Sequence, residues 1–142
     1  MSYSSHILGY LYIIKGDTFI MNTKIDISKN MATQNSNFPI LAVSNRHLAA
    51  HPFLDQIERV CQAHPAALIL REKDLPDEEY EKLAKNILVL CEREGVLCFL
   101  HSRIDMARKL KCEQIHLSIP ALQSLSEQER AALRKDFQEL SI

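Results

Sequence analysis

Four strand-length apolar runs, each followed by a helical pattern, constrain this chain more than any other feature. They are "PILAVSN" (39–45), "AALILRE" (66–72), "GVLCFLHS" (95–102) and "EQIHLS" (113–118). None alternates apolar with polar, so each expects cover on both faces, as strands of a parallel sheet have. Between the first two runs, Phe53, Ile57, Val60 and Cys61 share one helical face behind Pro52. The next helix expects Pro76 at its start, then Asp77, Glu78 and Glu79 in its first turn, and Gly95 beyond its last. Its apolar stripe is Tyr80, Leu83, Ala84, Ile87, Leu90 and Cys91. A short helix covers residues 104–110, and another opens at Ser126 with Glu129 three residues on. "FQELSI" (137–142) reads as the opening of a fifth strand.

Such β-α repetition with right-handed crossovers gives parallel strands in sequential order. An open doubly wound sheet normally carries a glycine-rich turn after its first strand to cradle phosphate. Here that turn is "SNRHLAAHP", and the chain has three glycines in all. The expectation is therefore an α/β fold of the other kind, an incomplete (β/α)8 (TIM) barrel of about four and a half β/α units.

The remaining bulk properties exclude more than they specify. A net charge of −1 offers no basic field for nucleic acid or an anionic membrane. The run "ILGYLYII" (7–14) is too short to span a bilayer and lacks the flanks of a signal peptide. Cys61, Cys91, Cys98 and Cys112 show no CxxC spacing and read as buried thiols of a cytoplasmic protein. Residues 1–37, polar and aperiodic from Asn22, are expected to be a poorly ordered extension before a folded part at 38–142, the alternative being an over-long reading frame with its true start at Met21 or Met31.

Why should "ALIL" run straight into Arg71, Glu72 and Lys73? In a (β/α)8 barrel the site is built at the C-terminal strand ends. Those ends read Ser44-Asn45-Arg46, Arg71-Glu72-Lys73, His101-Ser102-Arg103, and His116 with Ser118. The convergence predicts a pocket, and Arg46, Arg71, Lys73 and Arg103 suit a small-molecule phosphate or diphosphate. Two readings stand for Glu72, a site carboxylate or the ion-pair partner of Lys73 or Arg103. Arg103 reads equally as a first-turn helix residue. His101 at a strand end reads as a site residue, His116 within its strand as a hydrogen-bonded core histidine. No His or carboxylate pair has metal-ligand spacing.

The segments "LAVSNRHL", "ALILREKDLPDEEYEKLA" and "FLHSRIDMARKLKCEQIHLS" together resemble the thiamine-phosphate synthase family, including its thiazole-tautomerase branch. The resemblance spans about residues 40–118. It implies a (β/α)8 barrel of a transferase that couples hydroxymethylpyrimidine diphosphate to thiazole phosphate, releasing diphosphate with magnesium on the leaving group. Arg71 and Lys73 match the family's diphosphate-binding Arg and Lys. Ile69 stands where that motif begins with Gln, and His101-Ser102 where the family has its Asn-Asp pair. "SIPAL" replaces a stretch that carries a second magnesium carboxylate. Both metal-ligand positions lack carboxylates, so the resemblance implies phosphate binding with no metal cofactor, closer to the tautomerase branch and its acid–base chemistry. A whole barrel takes about 200 residues or more. The expectation is a truncated barrel in thiamine biosynthesis, weak or inactive alone, that self-associates or lacks a C-terminal half. The alternatives are a tautomerase-like half-barrel active on assembly, and a non-catalytic phosphate-binding or regulatory module.

Overall fold

The structure, a computed structural model, describes residues 18–22, 40–49 and 52–137, the first of these segments by its backbone. In chain order the elements are β1 (Thr18–Asn22), β2 (Leu41–Val43), a 3-10 turn (Arg46–Leu48), α1 (Phe53–Gln62), β3 (Ala67–Leu70), α2 (Asp77–Glu94), β4 (Leu97–His101), α3 (Ile104–Lys109), β5 (Gln114–Ser118), α4 (Ile119–Ser124) and α5 (Glu127–Asp136). One sheet contains all five strands in the order β1-β5-β4-β3-β2. Strands β2 to β5 are parallel and consecutive, pairing Leu41 with Ala67, Ala67 with Leu97, and His101 with His116.

The two faces of this sheet differ in what covers them. Ala42, Leu68, Leu70, Cys98, Leu100, Ile115 and Leu117 form one buried cluster with the helical residues Ile57, Cys61, Tyr80, Ala84, Ile87, Ala107 and Leu133. The alternate residues Leu41, Val43, Ala67, Ile69, Leu97 and Phe99 form a second cluster, joined by Ala66 and, among the described residues, by no helical residue. The packed helices among the described residues thus lie on one side, as consecutive right-handed crossovers require. A doubly wound sheet needs a reversal of strand order to put helices on both sides. The four parallel strands are therefore the opening series of a (β/α)8-type barrel, and the sheet is not closed.

Helix α2 fits its sequence pattern closely. Tyr80, Ala84, Ile87 and Cys91 are buried, and Gly95 ends the helix in the left-handed conformation at φ 69°. Leu83 and Leu90, expected in the same buried stripe, are only partly buried against its edge. The Tyr80 hydroxyl donates to the Leu70 carbonyl at 3.1 Å and ties the first turn of α2 to the end of β3. All four cysteines are buried and free. The thiols of Cys61 and Cys91 lie 3.8 Å apart between α1 and α2, and their mutual hydrogen bond, reinforced by burial, raises the Cys61 pKa.

Two elements depart from the sequence reading. Helix α4 was not anticipated: Pro120 suits its first turn, and the Ser118 hydroxyl caps it by accepting from the Ala121 N–H at 3.3 Å. Strand β1 falls inside the stretch expected to be poorly ordered and runs antiparallel to β5, from Thr18↔Ser118 to Asn22↔Gln114. "TFIM" has the β-branched and aromatic character of a strand, which the polar composition beyond it masked. Strand β1 thus covers the outer edge of β5. The run at 7–14 and the fifth-strand residues 138–142 lie outside the described residues, while Phe137 is buried in extended conformation at the end of α5.

Candidate functional site

The C-terminal ends of β2, β3, β4 and β5 bring the expected polar residues together, but not as one cationic cluster. The key is Glu72, the residue after Arg71 at the end of β3, which is 3% exposed. Its carboxylate accepts from the Ser44 hydroxyl at 2.7 Å, the Arg46 backbone N–H at 3.0 Å and the Arg46 guanidinium at 3.2 Å. Ser44 in turn accepts from the Arg71 N–H at 2.9 Å. Arg46 also makes a two-pronged pair with Asp74 at 2.6 and 2.7 Å. That pairing holds the Asp74 carboxyl well below the usual carboxylate range, with a further hydrogen bond from His47. Glu72 and Arg46 together fasten the first two β/α units to each other.

Arg103 is engaged in the same way. Its guanidinium pairs with Asp77 at 2.6 Å, donates to the carbonyls of Glu72 and Leu75 at 3.1 and 2.7 Å, and lies 4.0 Å over the Tyr80 ring. The third unit is thereby locked to the second. Two cations remain. Arg71 and Lys73 are exposed, and neither side chain has an ion pair among the described residues. They flank the buried Glu72 in sequence, at the point where β3 gives way to the turn that leads into α2.

Beside them His101 and His116 form a buried pair. They face one another across β4 and β5, with Nδ1 to Nδ1 at 2.6 Å and ring centroids 4.9 Å apart. A contact of that length needs one proton between the two nitrogens, so one ring donates and the other accepts. Burial pushes the pKa of His101 down to about 3, and the charges of His116, Arg71 and Lys73 act in the same direction. His116 falls to about 4, through burial and then Arg71. At neutral pH both rings are uncharged. His116 Nε2 is buried with no hydrogen-bond partner. Ser102, next to His101, holds a left-handed conformation at φ 61° and gives its N–H to the His116 carbonyl at 2.9 Å. His101, Ser102 and Lys73 also line an open cavity of about 1580 Å³ that extends between α2, α3 and α5.

The sequence reading singled out His101 and treated His116 as a core histidine; the structure makes them one unit. The clue was available, since both lie in adjacent parallel strands, but the register that pairs them is not written in either segment. The anionic partners Asp74 and Asp77 were also missed, because each lies in a loop or helix turn where charge is ordinarily solvated.

The chain matches the family model described as thiamine monophosphate synthase over residues 40–137. It belongs to that family. A stretch of 78 residues is 31% identical to a putative thiamine-phosphate synthase 2 of Aquifex aeolicus, covering 55% of this chain and 42% of that one. Another of 50 residues is 42% identical to the thiamine-phosphate synthase of Wolinella succinogenes, covering 35% and 23%. The solved thiamine phosphate pyrophosphorylase of Pyrococcus furiosus superposes with a TM-score of 0.47 at 19% identity, over 51% of this chain and 35% of its own. The chain spans less than half the length of the curated relatives it matches. No helix among the described residues is long and apolar enough to cross a membrane.

Thiamine monophosphate synthases, on the family pattern set out above, place magnesium ligands where this chain has His101-Ser102 and the start of α4. Magnesium takes hard oxygen donors, chiefly carboxylates, in octahedral array. The donors here are a neutral imidazole already committed to His116, and hydroxyl groups. No cluster of three or more His, Cys, Asp or Glu suited to a metal exists among the described residues. These residues do not fit the ion.

Proposed function

We propose that Arg71 and Lys73 bind the phosphate or diphosphate group of a small intermediate of thiamine biosynthesis, without magnesium, and that the chain contributes the diphosphate side of a thiamine-phosphate synthase-type site. The observation that carries this reading is the division of the strand-end charges. Arg46 and Arg103 are neutralised by Glu72, Asp74 and Asp77. Arg71 and Lys73, the two matching the family's diphosphate-binding positions, are left facing solvent beside an uncharged imidazole pair. An anion there gains two charge-assisted contacts, while the neighbouring carboxylates of Glu72, Asp74 and Asp77 are paired with Arg46 and Arg103.

The synthase and tautomerase readings are separated by basicity. Imidazoles that titrate at about 3 and about 4 are neutral but weak bases at pH 7. That favours recognition over proton abstraction and makes a non-catalytic phosphate-binding module the second reading. Calorimetric titration with pyrophosphate, in excess magnesium and again in chelator, tests the proposal. Equal affinity in both, weakened about tenfold or more by Arg71→Ala or Lys73→Ala, is the expected outcome. A strict magnesium requirement, or indifference to both substitutions, overturns it.

A further inference from the structure

The four ring nitrogens of His101 and His116 share two protons, because each neutral imidazole carries one. One proton lies in the 2.6 Å contact between the Nδ1 atoms. The other sits on one of the two Nε2 atoms, so the pair offers one donor and one acceptor at its outer ends. Where those ends lead differs. Nδ1 and Nε2 lie on opposite flanks of an imidazole, so with both Nδ1 atoms turned inward each Nε2 is turned away from the other ring. For His116 that direction leads away from β4, to the side where β1 sets Ile20 opposite it. Isoleucine has no side-chain donor or acceptor, and His116 Nε2 is buried without a partner. For His101 it leads towards β3. Leu70 pairs with Leu100, so the next residues on the two strands are Arg71 and His101, and His101 pairs in turn with His116. Arg71, His101 and His116 thus make a row across three strand ends. His101 also lines the open cavity with Lys73 and Ser102, and the charges of Arg71 and Lys73 both bear on its ring.

We propose that His101 is a third donor at the anion site, giving its Nε2–H to a phosphate or diphosphate held by Arg71 and Lys73, and that His116 is the positioning residue that keeps His101 in this tautomer. The inference rests on the phosphate-binding reading of Arg71 and Lys73 and adds a neutral donor to it. An N–H aimed at an anion attracts it, and a ring lone pair repels it. A bound phosphate therefore selects the tautomer with the second proton on His101 Nε2. His101 Nδ1 is then bare and accepts from the Nδ1–H of His116, which touches no ligand atom itself. Without His116 nothing holds His101 Nδ1, and the ring is free to turn or to present its lone pair to the anion.

The test uses the full chain with pyrophosphate in chelator at about pH 7.5, where both rings are uncharged. Histidine 15N spectra separate protonated from bare ring nitrogens. In the wild-type complex they should show a protonated Nε2 on His101 and a bare Nε2 on His116. His101→Phe should weaken binding about fivefold or more, and Arg71→Ala should weaken it as well. His116→Phe removes no ligand contact, yet it should weaken binding about threefold or more and turn the His101 signals into a mixture of tautomers. His116→Asn should restore both, because its amide can donate where the Nδ1–H did. A bare His101 Nε2 in the complex, or wild-type affinity in His101→Phe while Arg71→Ala is impaired, overturns this inference and leaves the reading of Arg71 and Lys73 standing. Equal losses in His116→Phe and His116→Asn overturn the positioning role. Absence of pyrophosphate binding by wild type, or indifference to Arg71→Ala and Lys73→Ala, overturns both readings together.

Discussion

Glu72 shows how a charge run after a buried strand can be structural at its centre and open at its sides. Its neighbours Arg71 and Lys73 reach solvent, while Glu72 closes a network with Ser44 and Arg46. Glu72→Ala leaves the Ser44 hydroxyl and the Arg46 N–H without their acceptor. A loss of about 2–4 kcal/mol is expected, the lower part of the range because Arg46 is partly solvated and keeps Asp74. Arg71→Ala should change stability by less than about 0.5 kcal/mol while impairing pyrophosphate binding. Urea unfolding of the two variants separates the roles. The histidine pair gives a second expectation. With folded values of about 3 and about 4 against 6.5, the unfolded chain binds more protons through that interval. Stability is then fully present above pH 6.5, falls as the pH drops towards 4, and levels off below 3, by on the order of 1–2 kcal/mol per histidine at pH 5. Urea midpoints between pH 7.5 and 5 should show a shallower decline for His101→Asn than for wild type. At this scale the sequence was half legible. It placed Arg71, Lys73, Glu72 and His101 at strand ends, but a strand end does not say which neighbour a side chain turns to, so the pairing of Arg46 and Arg103 with carboxylates was hidden.

Among the elements, the helices and parallel strands were readable because each carries its own punctuation. Helix α2 has acidic residues in its first turn, a stripe at helical spacing and Gly95 at its end. Ile87→Ala, at a fully buried position, should cost about 2–5 kcal/mol. Leu83→Ala should cost less, roughly 1–2 kcal/mol, because that side chain is only partly buried. Val89→Ala, on the solvent side, should stay within about 0.5 kcal/mol. Thermal or chemical unfolding of the three variants checks the rotation of the helix about its axis. A larger loss at Leu83 than at Ile87 would contradict the packing. Strand β1 was illegible for the opposite reason. Five residues with no partner nearby in sequence carry little information, and only β5 decides their state.

For the whole molecule, the sequential strand order and the single side taken by the described helices agree with the barrel-type series that four apolar runs and a glycine-poor first turn suggest. Among the described residues, one edge of the sheet stays unpaired at β2. Ser44 gives its N–H to Ile69 and Ile40 receives that of Ala66, so the even-numbered positions bond β3 and Leu41 and Val43 point their backbone groups outward. That edge is three residues long, which limits the association it can template. Sedimentation equilibrium at micromolar concentration should show weak self-association through it, reduced by Leu41→Pro, which removes an outward N–H and leaves the β3 ladder intact. An unchanged association constant in that variant would place the contact elsewhere. The pairing of β1 with β5 also sets an order in time. Thr18 leaves the ribosome well before its partner Ser118, which is made 100 residues later. At synthesis rates of about 5–20 residues per second, that interval is on the order of 5–20 s. The first-made strand of the sheet is therefore the last to dock, and its docking reports that all four parallel strands are in place.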